Sequence, residues 1–163
     1  MALRKGEKGI LIGLVTVLLV MMGWRIVTLD EVAKDKGIPY YSTASDELRK
    51  QGGLLYRKQE CSNCHSLWTN RSVMQSVPAP ALDGIGSLKE ESWFFNYFSA
   101  KDPQAIVPSR LKPEFRMPSY AHLPEAERQL LASYMASLKV EDWYLEETKQ
   151  REQEKLTGKS YQP

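Results

Sequence analysis

The two cysteines of this chain stand three positions apart, in the run Cys61-Ser62-Asn63-Cys64-His65. Two thiols at this spacing, with a histidine directly after them, lie on one turn of the chain, so all three side chains can reach one bound group. This restricts the fold more than any other feature of the sequence. No further cysteine is present for a structural disulfide, so the cysteine count alone does not indicate the redox compartment.

The order Cys-x-x-Cys-His is the pattern of covalent haem c attachment. The thiols of Cys61 and Cys64 would form thioethers with the two vinyl groups of one porphyrin edge, and His65 would lie under the iron as its proximal ligand. A thioredoxin-type redox pair needs a preceding strand and a βαβ context, which the sequence does not predict. A zinc site would need His122 as its fourth ligand, and the neighbours Cys64 and His65 would rarely both bind one tetrahedral ion. One haem c is therefore predicted.

A few helices and no strands are predicted beyond residue 44. Ser45 can cap a helix that runs up to the cysteine motif. Glu90–Phe98 carries aromatic residues at three- and four-residue steps, which favours a short helix. Pro124 fits the first position of a last helix, whose apolar stripe extends from Leu130 to Leu138.

Long loops separate these helices. Residues 66–86 and 102–120 are rich in proline or glycine and show no sustained period. Two long loops are unusual in so small a domain. Helices this sparse cannot build a core alone, so a large apolar group at the centre, such as a haem, is expected independently of the cysteine motif.

Met117 is predicted to be the sixth ligand of the iron. It stands in a proline-rich loop before the last helix, and Pro118 restricts the backbone beside it. Met74 comes only nine residues after the proximal histidine, which is too close to cross to the opposite haem face. Met135 lies on the apolar stripe of the last helix, where methionine usually packs in a core. His122 remains an alternative ligand.

The motifs and their order resemble the class I cytochromes c over about residues 45–138. Gly52 and Tyr56 fall where that family has a glycine and an aromatic residue on its first helix, and Tyr134 falls where its last helix supplies the crossing aromatic. Met117-Pro118 resembles the ligand loop of the family. The resemblance implies an all-α class I cytochrome c fold, with few helices and long loops around one covalently bound haem.

Pro80-Ala81-Leu82-Asp83-Gly84 resembles the Pro-x-Leu-x-Gly segment of that family. There the proline carbonyl accepts the ring N–H of the proximal histidine, so Pro80 would orient His65. The resemblance does not identify the partners of the haem propionates, for which Trp93, Arg110, Arg116 and Arg71 are suggested by their chemistry alone. The predicted haem-binding residues are Cys61, Cys64, His65, Pro80 and Met117, with His65 and Met117 as the iron ligands.

The N-terminal segment is predicted to be a transmembrane anchor. The apolar run Gly9–Leu29 has 21 residues, interrupted by Arg25, and a bilayer core takes about 20 residues of helix. A cleaved signal peptide is the alternative, but no small-x-small site follows the run; a buried core helix would show a polar face. Basic residues before Gly9 favour a single pass through a bacterial inner membrane with the haem domain in the periplasm.

Charge and composition complete the division of the chain. The net charge is +2, and the near-neutral body beyond the basic N-terminus argues against nucleic-acid binding. The charged tail either continues as a solvated helix with a Glu147/Arg151 pair or docks on a partner. The predicted divisions are a cytoplasmic stub and anchor at 1–29, a linker at 30–44, a monohaem domain at 45–140 and a charged tail at 141–163.

A haem with histidine and methionine on its two faces has no open site for a substrate, and the thioether ligand favours reduced iron. We therefore expect an electron-transfer protein that is not an enzyme by itself. One anchor and one monohaem domain resemble the cytochrome c subunits of nitric oxide reductase and of cbb3-type oxidase. That resemblance implies a subunit of such a respiratory complex, with integral membrane subunits and a redox protein as partners. The alternative is an independent membrane-tethered carrier between a quinol-oxidising complex and a terminal reductase.

Overall fold

The computed structural model describes residues 5–32, 37–68, 77 and 79–161. The chain divides into two units, Met1–Gly37 and Ile38–Pro163. In its described part the first unit is one helix, and the second is mostly helical. The helices are α1 Lys5–Val32, α2 Asp46–Lys58, α3 Glu91–Ser99, α4 Glu125–Ala136 and α5 Leu145–Thr157, and the strands are β1 Tyr40–Ser42 and β2 Leu138–Val140.

The prediction of a transmembrane anchor at the N-terminus is wrong. The segment is helical, as α1, but none of the helices in the described part of the chain is long and apolar enough to cross a membrane. The charge-free run Gly9–Trp24 has 16 residues, or about 24 Å of helix against a hydrocarbon core of about 30 Å. Arg25 follows directly, and the prediction failed because it counted the apolar residues beyond that charge as part of one span.

The helix that leads into the cysteine motif is confirmed. Ser45 caps α2, because its side chain accepts a hydrogen bond from the backbone N–H of Leu48 (3.2 Å). Asp46 and Glu47 occupy the first turn, where carboxylates favour the positive end of the helix dipole. The helix ends at Lys58, so the chain reaches the motif within one turn.

The helices α2 and α4 cross in close contact in the core of the domain. A Cβ atom added at Gly52 would lie 2.5 Å from Cγ of Tyr134, so the ring packs directly on the backbone of α2. Phe94 and Phe98 of α3 and Leu131 of α4 complete the buried core on this side. The helices predicted at Glu90–Phe98 and after Pro124 are thus confirmed as α3 and α4. Pro124 is not the first helical residue, because it precedes α4 with an extended ψ of 146°.

A short antiparallel sheet joins the two ends of the domain, although no strand was expected. Tyr41 of β1 pairs with Lys139 of β2. The strand β1 lies within the segment predicted as a linker, and β2 follows α4. The pairing is extended on both sides, where Thr43 N–H donates to the Ser137 carbonyl (2.9 Å) and Glu141 N–H donates to the Pro39 carbonyl (2.8 Å). Strands of three residues are too short to show an alternating pattern, so only long-range pairing reveals them.

The charged tail forms the helix α5, and the predicted pair between Glu147 and Arg151 is present at 2.6 Å. Arg151 also donates to the hydroxyl of Tyr40 on β1 (3.2 Å). Gly158 ends the helix in the left-handed conformation, with φ at +70°. The tail therefore lies against the domain over part of its length.

Candidate functional site

The cysteine motif forms a tight turn directly after α2. Glu60 adopts the left-handed conformation (φ 56°), which turns the chain into the 3₁₀ segment Cys61–Asn63. The backbone N–H groups of Cys64 and His65 both donate to the carbonyl of Cys61, at 3.3 and 2.9 Å. The two thiols are free and half-buried. One turn thus carries both cysteines and the histidine, as the spacing predicts.

The thiol of Cys61 faces the interior of the domain. Its Sγ lies 4.0 Å from the hydroxyl of Tyr120, a buried residue three positions beyond Met117. Burial raises the pKa of Cys61 to about 11, so the thiol is uncharged at neutral pH and no thiolate is buried here. The contact brings the cysteine turn to the loop that follows Met117. Sequence reasoning assigned no role to Tyr120.

The ring of His65 is held by a backbone carbonyl. Its Nδ1 lies 2.8 Å from the carbonyl oxygen of Pro80, and the Tyr56 hydroxyl donates to the carbonyl of His65 itself (3.2 Å). Burial lowers the pKa of His65, although the contact with Pro80 opposes this effect. We assign the proton of the neutral ring to Nδ1, because the carbonyl can only accept. Nε2 then keeps its lone pair for a metal.

The loop that carries Pro80 is tied to the chain just beyond the motif. Leu82 N–H donates to the Ser66 carbonyl (2.9 Å), and the carboxylate of Asp83 accepts the backbone N–H of Trp68. These two bonds hold the Pro80 segment beside the cysteine–histidine turn (residues 61–65). The sequence indicated the contact with Pro80 through the family motif and did not indicate these supports.

Met117 packs on the same core as Cys61. Both side chains are partly buried against one hydrophobic cluster. Gln104 donates from Nε2 to the Met117 carbonyl (3.1 Å), and Ser119 donates from Oγ to the Ala100 carbonyl (2.7 Å). The loop before α4 is thereby folded back on the end of α3. Gln104 had no predicted role, and no sequence pattern distinguishes it from other loop glutamines.

Among the residues that the structure describes, the others considered as ligands of the iron or partners of the propionates make no described contact with the cysteine–histidine turn. Met135 is 3% exposed in the core, where core packing was expected. His122 is exposed, with Nδ1 3.2 Å from the Ser119 carbonyl. Trp93 stacks on Tyr97 with ring centroids 5.1 Å apart. Met74 and Arg71 lie outside the described residues.

The two arginines suggested for the propionates have partners of their own. Arg116 donates from Nε to the Leu111 carbonyl (2.8 Å). Arg110 donates to carbonyls at the end of α5. Neither arginine therefore directs these donors toward the cysteine–histidine turn.

The residues present fit a haem c. Two free thiols on one turn match the two attachment points, and the neutral imidazole presents one nitrogen with a free lone pair. A partly buried thioether lies on the same apolar core. The structure offers no support for the zinc alternative, because the described residues contain no group of three or more His, Cys, Asp or Glu side chains that could hold a metal ion.

Comparison with known protein families finds the family described as Cytochrome c, which matches residues 50–139. No curated protein and no solved structure matches the chain significantly. The matched segment covers more than half of the chain and contains the cysteine motif, the Pro80 segment and the Met117 loop. Domains of this family bind covalent haem c, typically one, carry electrons and are typically extracytoplasmic. The chain belongs to the cytochrome c family.

Proposed function

We propose that the domain transfers single electrons through a haem attached to Cys61 and Cys64, with His65 and Met117 as the axial ligands. The 2.8 Å contact between His65 Nδ1 and the Pro80 carbonyl carries the proposal. It holds the ring in one orientation and leaves Nε2 as a ligand. A haem iron with both axial positions filled changes its charge by one electron and offers no site to a substrate.

The chain contributes burial and fixed ligands. The aromatic core contains Tyr120 and Phe98, whose ring centroids lie 5.9 Å apart, and gives Met117 an apolar surface to pack on. A ligand set that is already held by hydrogen bonds moves little when the charge on the iron changes. This arrangement suits rapid transfer of electrons to and from a redox protein partner.

We further propose that the domain is a subunit of a respiratory complex of the haem–copper oxidase or nitric oxide reductase type, beside integral membrane subunits. The segment from Asp102 to Pro108 and the Met117-Pro118-Ser119-Tyr120 run resemble the ligand loop of the oxidase subunit. The tail supports the proposal from a different direction. It forms a structured helix beyond the residues that the family accounts for, and its exposed charged side chains offer a surface to a neighbouring subunit.

The axial ligands are tested by substituting Met117→Ala and, separately, His122→Ala in the haem-loaded protein. Met117→Ala is expected to abolish the ferric absorption band of the methionine–iron bond and to lower the reduction potential, because a thioether favours reduced iron. His122→Ala serves as the control and is expected to leave both unchanged. A Met117→Ala protein that keeps the band would contradict the assignment.

Purification from the native source tests the parent complex. Extraction in a mild detergent, followed by size separation and a covalent haem stain, is expected to place the chain in a large particle that also contains integral membrane subunits. Recovery of the cytochrome by itself under these conditions would contradict the role as a subunit. It would leave the electron-transfer role of the domain unaffected.

A further inference from the structure

The helix α5 lies outside the segment that matches the family. Its end nevertheless contacts the loop of residues 102–120, which carries Met117 (the Met117 loop). Arg110 of this loop donates from Nε to the Leu156 carbonyl (3.3 Å) and from Nη2 to the Lys155 carbonyl (3.4 Å). Carbonyls in the last turn of a helix have no partner within the helix, and the dipole favours a cation there. Arg110 therefore caps α5 from outside.

Gly158 makes this approach possible. Its φ of +70° suits glycine, and its N–H donates to the Glu154 carbonyl (2.8 Å), which closes the helix. A Cβ atom at this position would lie 2.5 Å from Nη1 and 2.7 Å from Cζ of Arg110. The backbone conformation at this position favours glycine, and the absence of a Cβ leaves the space in which the guanidinium lies.

Short-range bonds connect Arg110 to Met117. Leu111 follows Arg110, and its carbonyl accepts Nε of Arg116 (2.8 Å). Its N–H donates to Oγ of Ser109 (3.2 Å). The bond between Arg116 and Leu111 closes the intervening chain into a compact loop, and Met117 is the next residue. A restraint on Arg110 is therefore transmitted to Met117 through a loop that is closed on itself.

A second contact joins α5 to β1. Arg151 donates to the Tyr40 hydroxyl (3.2 Å), and its Cζ lies 5.2 Å from the centroid of the Tyr144 ring. Thr148 is buried, at 8% exposure. The helix thus rests on the β1 side at one end and receives Arg110 at the other, so it connects the sheet with the Met117 loop.

We propose that α5 braces the Met117 loop and that Arg110 is the positioning residue through which it acts. The brace rests on the proposed role of Met117 as an axial ligand. Its function is to hold the thioether against the iron, so that the bond resists displacement by other ligands. This gives the charged tail a role within the domain itself.

Imidazole is the probe, because it competes with the thioether for ferric iron. In the haem-loaded protein, Arg110→Ala is expected to raise the affinity for imidazole about threefold to tenfold, which corresponds to the loss of one or two weak hydrogen bonds. Arg110→Lys keeps the charge at the end of α5 and is expected to recover part of the effect. The matched control is Arg49→Ala, which removes an exposed arginine paired with Asp46 on α2; its imidazole affinity should remain that of the parent.

Gly158→Ala approaches the same contact from the helix. It is expected to raise the imidazole affinity by a similar factor, because the new Cβ displaces the guanidinium. In the double variant with Arg110→Ala, the second substitution should add little, since the group that it displaces is already absent. Additive effects would contradict a shared contact and overturn the brace.

Two outcomes separate the brace from the ligand assignment. Loss of the methionine–iron band in Met117→Ala, together with an Arg110→Ala protein whose imidazole affinity is unchanged, would overturn the brace alone. Retention of the band in Met117→Ala would overturn the ligand assignment and the brace with it. Thermal unfolding of each variant identifies general loss of stability. The brace predicts a rise in imidazole affinity in Arg110→Ala at an unfolding temperature close to that of the parent and of Arg49→Ala; a rise that occurs only with a marked drop in the unfolding temperature of Arg110→Ala would overturn the brace.

Discussion

The cysteine–histidine turn and the Met117 loop would supply the two faces of one haem, but they are positioned by different kinds of bonds. In the turn, the backbone bonds that set Cys61, Cys64 and His65 lie within the turn itself. The Met117 loop is held by Gln104, thirteen residues away, and by the contact of Arg110 with Leu156, 46 residues away. The backbone of the turn is thus shaped by local chain geometry, although the His65 ring also depends on Pro80, fifteen residues away. The Met117 loop depends in addition on a contact with α5, at a much greater distance along the chain.

This difference indicates which side should yield first. Local turns form with little loss of chain entropy, whereas contacts between distant segments depend on the whole domain being folded. We therefore expect the Met117 loop to open under conditions that leave the cysteine–histidine turn intact. The four predictions below test this contrast.

The largest effect is expected from removing the two thiols that would attach the haem covalently. Replacing both Cys61→Ala and Cys64→Ala removes the sulfur atoms that form the thioethers, so no haem should remain on the chain in a denaturing gel stained for covalent haem. Ser62→Ala, a substitution within the same turn, is the control and should retain the full stain. Equal staining of the double variant and the control would contradict the attachment site.

The second effect concerns the close crossing of α2 and α4 in the core of the domain. A methyl group at Gly52 would meet Cγ and Cβ of Tyr134 at 2.5 and 2.6 Å, close to the backbone of α4 where the ring cannot move aside. Gly52→Ala should lower the free energy of unfolding by about 1–3 kcal/mol. A methyl group at the neighbouring Gly53 would make only ordinary contacts, with the Tyr134 hydroxyl at 3.8 Å and with Nη1 of Arg57 at 4.0 Å. Gly53→Ala should therefore raise the free energy of unfolding by up to about 1 kcal/mol through helix propensity.

Denaturant titration of both glycine variants measures this difference. The pair is matched in helix, chemistry and distance from the motif, so the contrast isolates the packing of the ring on α2. Similar free energies of unfolding for the two variants would show that the helices do not cross as closely as described.

A third and smaller effect is expected in the Met117 loop. Gln104→Ala removes the donor to the Met117 carbonyl, which should lower the free energy of unfolding by about 1 kcal/mol and raise the imidazole affinity of the ferric protein by up to about fivefold. Gln51→Ala is the control, because that glutamine is exposed on α2 and bonds only to its neighbour Glu47 among the contacts described. An unchanged imidazole affinity would remove Gln104 from the support of the ligand.

The smallest effect is expected on the histidine side. Tyr56→Phe loses the hydrogen bond from the hydroxyl to the His65 carbonyl and should lower the free energy of unfolding by about 0.5–1 kcal/mol. The imidazole affinity should not change, because Met117 does not depend on this bond. A rise as large as that of Gln104→Ala would mean that the two sides are not independently supported.

Local patterns predicted a large part of the fold. Ser45 and the acidic first turn identify α2, and the aromatic steps identify α3. For the tail, the Glu147/Arg151 spacing left a solvated helix as one of two alternatives, and the structure shows the helix. The short strands around Tyr41 and Lys139 carry no such pattern, because their stability comes from pairing across almost a hundred residues. The spanning helix was a wrong prediction, since apolar character was counted across Arg25.

The sequence by itself indicated the chemistry of the cysteine–histidine turn, because two thiols and an imidazole at this spacing follow the pattern of haem c attachment. It also indicated Pro80 and Met117, through family motifs in the loop after the turn and in the loop before α4. Only the tertiary structure decided how those residues are supported: Tyr120 beside Cys61, Gln104 on the Met117 carbonyl and Arg110 at the end of α5. These contacts join segments far apart in the chain, and their directions depend on the packed fold, which no local spacing encodes.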